Sequence, residues 1–123
     1  MKRDMDLVRK ILLAIEEQSY DYSQPNPAVD GYTTEQIEYH LLIMIDAKLI
    51  VGFEFPVGGG PKVFSERMTW QGHDFLEASR DEGRWSKAKG IMTKIGGVTF
   101  EIMKQILTQV MSDQVKQIMG INP

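Results

Sequence analysis

His40 and His73 are the two imidazoles of this 123-residue chain, which has no cysteine. The side chains that could do chemistry are therefore few. Without cysteine there is no thiolate nucleophile, no disulfide framework and no cysteine metal site. His73, Glu77 and Asp81 recur every four residues, a spacing that places an imidazole and two carboxylates on one helical face, where a metal ion is geometrically conceivable. The same spacing is common on solvated faces, and that reading is adopted. His40 sits at the edge of an apolar stripe near Met44, so a packed, hydrogen-bonded histidine is expected. As a general base it has no evident partner.

Gly58 to Lys62 (GGGPK) offers free backbone amides of the kind that cradle phosphate. It lacks the GK[ST] ending and leads into a strand-like segment instead of a helix, so a hairpin turn accounts for it. No GxSxG, HExxH or comparable catalytic pattern is present. The expectation is a protein that is not an enzyme, with no metal, no cofactor and no small-molecule ligand.

Charge bears on nucleic acid as a partner. Residues 1 to 56 hold five Lys/Arg against ten Asp/Glu, and residues 57 to 123 hold nine against seven, or −5 and +2, which sum to the net −3. Phosphate contacts would have to come from Lys62, Arg67, Arg84, Lys87, Lys89 and Lys94. The 84–94 run also reads as an ordinary solvated face.

The elements that position these residues follow from periodicity. Val8, Ile11, Leu12 and Ile15 predict a helix over Asp4 to Glu17, with Met5 and Leu7 on its flank. The stretch from Ser19 to Tyr32 is rich in Pro, Asn, Asp and Gly and reads as an ordered loop anchored by Tyr20, Tyr22 and Val29. Thr33 with Gln36 forms a capping box that starts a helix to about Ala47. Its core stripe is Ile37, Leu41, Met44 and Ile45, while Tyr39, Leu42 and Ile43 face away. Leu49 to Phe55 and Val63 to Met68 read as strands joined by PVGGGPK. Thr69 caps a further helix in which Gly72 would permit close approach to the sheet; Glu82 and Gly83 are expected to break it, and a short helix from Arg84 to Ile95 follows. Val98 to Met119 is the longest periodic segment, with Phe100, Met103, Leu107, Val110, Met111 and Ile118 in one stripe, Thr99 as N-cap and Gly120 as its end.

The expected fold class is mainly α with a small β-hairpin (α+β): a winged-helix-like core over 1–82 plus C-terminal helices over 83–123, in a single domain 1–123. The helix in the position of a DNA-reading helix holds Glu35, Glu38 and Asp46 and no Lys or Arg before Lys48, which disfavours groove reading. Its outward apolar side chains call for a cover, either the C-terminal helix or another subunit. The N-terminus lacks a signal-peptide core and the chain has no run of about 18 apolar residues, so a cytoplasmic protein with no membrane contact is expected.

Several segments taken together, MKRDMDLVRKIL, IEYHLLIMIDAKLI, RMTWQGHDFLEASRDEGRW and GGVTFEIMKQILTQ, closely resemble a family of small bacterial and phage or prophage proteins, the domain of unknown function 2513. The resemblance spans nearly the whole chain and rests most on TWQGHDFL and GGVTFE. It implies a winged-helix-like core and a setting in mobile elements, with no activity or ligand to carry over. Lys48 departs from it, standing before Leu49 and Ile50 where such proteins commonly have glycine; a left-handed backbone there would cost lysine roughly 1 kcal/mol.

The leading functional expectation is a non-catalytic binding module that contacts protein or itself, with Tyr39, Leu42, Ile43, Met103, Leu107 and Met111 as candidate interface residues. The alternative is a DNA-binding regulator of phage or prophage type that uses the hairpin and the basic C-terminal face.

Overall fold

The computed structural model describes residues 1–20, 25–58 and 60–121. They form a mainly helical α+β fold: α1 (Met5–Glu17), α2 (Thr34–Asp46), β1 (Ile50–Val57), β2 (Gly60–Met68), α3 (Trp70–Arg80), α4 (Glu82–Ile95) and α5 (Phe100–Ile118). The chain forms two compact units, Met1–Leu76 and Glu77–Pro123.

In the first unit α1 packs on α2 and β2, and α2 packs on both strands. Each helix begins where a side chain takes up an orphan amide. Asp4 caps α1 by accepting from Leu7 N–H, and Thr33 and Gln36 complete the expected reciprocal box on α2. Leu7, Val8, Ile11 and Leu12 of α1 meet Ile37, Leu41 and Met44 of α2 in the buried interior. Burying each such side chain contributes about 1.5–3 kcal/mol. Leu7 is thus core, not flank, and Ile15 and Ile45 are only half-buried.

The α1–α2 connection is anchored differently from expectation. Tyr20 is 74% exposed, and Tyr22 lies outside the described residues. Pro27 is buried, and the Asn26 carboxamide reaches β2, its nitrogen donating to Val63 O at 2.8 Å and its oxygen accepting from Ser65 N at 3.1 Å and Ser65 Oγ at 3.0 Å. One side chain thereby supplies the donor and acceptor that a neighbouring strand would offer, which closes part of an open sheet edge. Tyr32, at the far end of the connection, donates its hydroxyl to Asp4 Oδ2 at 3.1 Å. Burial, followed by that hydrogen bond and the charges of Asp4 and Asp6, raises the Tyr32 phenol above its ordinary 10.0. Its stabilising contribution is fully present below that value and fades as pH rises through the raised folded pKa. Urea midpoints followed from about pH 9 to 11.5 are expected to fall more steeply for the wild type than for Tyr32→Phe. Parallel profiles would remove the Asp4–Tyr32 bond from the account.

Between α2 and β1 the backbone turns left-handed at Lys48, with φ of 61°. Replacing lysine by glycine relieves roughly 1–2 kcal/mol of Cβ crowding and returns roughly 0.5–1 kcal/mol through the looser unfolded chain. Lys48→Gly is therefore expected to be more stable by about 0.5–1 kcal/mol in chemical denaturation. An unchanged or lower midpoint would contradict it. Thr69 Oγ1 then ties α3 down, donating to Lys48 O at 2.6 Å and accepting from Gly72 N at 2.9 Å.

In the second unit the break falls at Asp81, which accepts from Arg84 N at 2.8 Å and caps α4, so Glu82 and Gly83 open the new helix and do not end the old one. Gly96, at φ 93°, ends α4, and Thr99 caps α5 by accepting from Ile102 N. α4 packs on α5. Trp85, Ala88, Met103, Leu107 and Val110 are buried. Ile118 is 85% exposed and leaves the predicted stripe, while Phe100 and Met111 are half-buried. Among the described residues no helix is long and apolar enough to cross a membrane.

Candidate functional site

β1 and β2 pair antiparallel with Phe53 opposite Phe64 and Phe55 opposite Lys62. Side chains alternate across a strand and directly paired residues share a face, so Phe53, Phe55, Val57, Phe64 and Lys62 all project on one side of the hairpin. A bulge between Val51 and Gly52 shifts the register near the strand bases. A Cβ on Gly52 would stand 2.4 Å from Phe64 O, which only glycine avoids. Val63, one residue along β2, points the other way into the interior and is buried.

The consequence is an aromatic surface in solvent. Phe53 is 55% exposed, Phe55 37% and Val57 39%. Phe53 lies 5.3 Å from Phe64 with the rings tilted at 37°, and 5.9 Å from Phe55 at 48°. With Glu66 these rings line a shallow cleft of about 430 Å³. Its single carboxylate is half-buried and only loosely engaged, 4.0 Å from Arg67 Nε. The apolar LIVGFEF run gave the strand but not its exposed face. The F-x-F alternation followed by a cross-strand phenylalanine was the available signal, and it cannot tell inside from outside without the register.

The basic candidates divide between the two units, Lys62 and Arg67 in the first and Arg84, Lys87, Lys89 and Lys94 in the second. Lys62 is exposed and pairs with Glu38 at 3.7 Å, and Arg67 is exposed beside Glu66. Arg84 is half-buried: its Nε donates to Gln114 Oε1 at 2.9 Å and its Nη1 to the carbonyls of Glu77 and Ala78 at 3.0 and 3.1 Å. It is occupied inside the second unit. Lys89 lies over the Trp85 ring at 6.0 Å, whereas Lys87 and Lys94 are exposed. Among the candidate interface residues Tyr39 is 36% exposed and Leu42, Ile43 and Met111 are half-buried. Met103 and Leu107 are a correction: both are fully buried, because their stripe is the one that packs in the chain's own core.

Neither histidine gathers reactive groups. His40 is 1% exposed; its Nε2 accepts from Asp4 N at 2.8 Å and its Nδ1 lies 2.8 Å from Gln36 O. His73 is exposed, Glu77 pairs with Arg80 at 2.8 Å, and Asp81 is committed as an N-cap. Among the described residues no group of three or more His, Asp or Glu is placed to hold a metal ion.

Comparison with known proteins places this architecture in a lineage. An uncharacterised protein of Haemophilus influenzae is 30% identical over 114 residues, which span 91% of this chain and 97% of that protein. No solved structure matches the chain. The model of the hypothetical protein family DUF2513 matches residues 2–99, from just before α1 through the hairpin and α4 to the N-cap of α5, and the chain belongs to that family.

Proposed function

We propose that the chain is a non-catalytic binding module, built on a winged-helix-like core, whose main contacts are with protein. The order α2, hairpin, α3 supports that core. The observation that carries the function is the cluster of tilted Phe53, Phe55 and Phe64 rings, of which Phe53 and Phe55 are exposed and Phe64 half-buried. Contiguous apolar surface rimmed by polar residues marks interaction sites, and aromatic rings are the side chains on which contact energy concentrates. The simplest partner is a second copy. Sedimentation velocity over the micromolar range is expected to show reversible self-association that Phe53→Ser combined with Phe55→Ser removes while leaving the melting temperature in place. A monomer at every concentration would overturn self-contact.

The second reading, a DNA-binding regulator, draws on the exposure of Lys62, Arg67, Lys87 and Lys94. It requires affinity that falls steeply with salt and weakens on every sequence alike in Lys62→Ala with Arg67→Ala. The acidic α2 and the engagement of Arg84 favour the protein reading.

A further inference from the structure

Three rings set at angles around one carboxylate have a chemical meaning beyond that of an apolar patch. Phenyl faces carry partial negative charge, so tilted rings with a carboxylate beside them form a surface complementary to an organic cation. In the hairpin cleft Phe53 lies 5.3 Å from Phe64 and 5.9 Å from Phe55, at interplanar angles of 37° and 48°, and Glu66 completes the lining. A flat apolar contact would have no use for the carboxylate. A phosphate-bearing strand would be repelled by it.

We propose that the Phe53, Phe55, Phe64 and Glu66 cleft receives a basic side chain, arginine or lysine, from an extended segment of a protein partner. The guanidinium or ammonium lies against the rings with Glu66 as counter-charge, and its aliphatic stem covers the exposed edges of Phe53 and Phe55. The cleft's volume of about 430 Å³ accommodates such a group. Cations over aromatic rings already recur within this chain, at Lys10 on Tyr32, Lys89 on Trp85 and Lys104 on Phe100, 5.1 to 6.0 Å from the ring centres. On the hairpin face the cross-strand neighbour of Phe55 is Lys62, whose ammonium pairs with Glu38 at 3.7 Å.

This inference rests on the protein-contact reading, and the test separates the two. Aromatic and amide NMR spectra of the full chain are followed during titration with an uncharged short peptide carrying one central arginine, with the same peptide carrying citrulline, and with oligothymidylate. The arginine peptide is expected to move the Phe53, Phe55 and Phe64 signals and to bind about 2 to 5 times more tightly than its citrulline isostere. That advantage is expected to vanish in Glu66→Gln and to shrink in Phe53→Leu, both exposed or half-buried positions outside the core, so the variants remain folded. Equal binding of both peptides overturns the cation and leaves protein contact standing. Failure of both peptides, with self-association through the hairpin intact, likewise overturns only the cation; failure of both without self-association overturns the two readings together. Oligothymidylate binding at the same rings more tightly than either peptide overturns the proposal in favour of single-stranded nucleic acid.

Discussion

Gly72→Ala is expected to destabilise the protein by about 3–5 kcal/mol, a large share of the total stability of an ordinary domain. A Cβ at position 72 would lie 2.1 Å from Leu49 O and 2.6 Å from Met68 Cγ. The methionine can swing away, but the carbonyl cannot. Leu49 O is held by Thr69 N at 3.0 Å, while the Thr69 hydroxyl donates its one proton to Lys48 O at 2.6 Å and accepts from Gly72 N at 2.9 Å. Making room for one methyl group therefore means lifting α3 off the start of β1 and losing those bonds, each worth about 1 kcal/mol, on top of the overpacking strain. The matched control is Gly90→Ala. That glycine is exposed within α4 with nothing inside 4 Å of a built Cβ, so the same methyl should stabilise by about 0.5–1 kcal/mol through helix propensity alone. Equilibrium urea unfolding read by circular dichroism compares the two. Equal shifts, or a Gly72→Ala variant as stable as the wild type, would refute the close approach of α3 to Leu49.

Lys48 and the Thr33–Gln36 box were legible because each depends on its neighbours in the chain. A cap needs a hydroxyl and an amide side chain three residues apart, and a helix stop needs a residue that turns left-handed. The elements misread were decided at longer range. Asn26 looked like one more turn former, yet it meets β2 across 37 and 39 residues, a pairing no local pattern encodes. Gly83 reads as a breaker, but Asp81 two residues earlier accepts from the first-turn amide of Arg84 and makes the glycine part of a helix start. The candidate surface suffered most from this. A short apolar strand reads alike whether its phenylalanines face in or out; that choice was made by Val63 on the partner strand and by the bulge at Val51 and Gly52.

His40→Ala is expected to cost about 3 kcal/mol, the sum of a cavity in a closed interior and an amide left without its acceptor. The ring joins two helices at their least forgiving point. Asp4 N–H donates to His40 Nε2, so the ring proton must sit on Nδ1, where it is donated to Gln36 O. The Asp4 carboxylate meanwhile serves Leu7 N at 3.2 Å and Tyr32 Oη at 3.1 Å. Removing the imidazole orphans the backbone amide of a residue that also caps α1 and holds the end of the α1–α2 connection. His40→Gln restores an acceptor on a side chain of similar reach and should recover about 1 kcal/mol of the loss. Amide hydrogen exchange locates the damage: Leu7 and Val8 should exchange faster in His40→Ala than global destabilisation alone requires, and return towards wild-type protection in His40→Gln. Uniform acceleration along the chain would mean that only packing volume was lost. The same geometry bears on function, since a histidine with both nitrogens engaged and its ring closed to solvent has none free to take a proton from a substrate. His40 is thus the packed, hydrogen-bonded histidine that its place at the edge of the apolar stripe predicts, and it ties the start of α1 to α2.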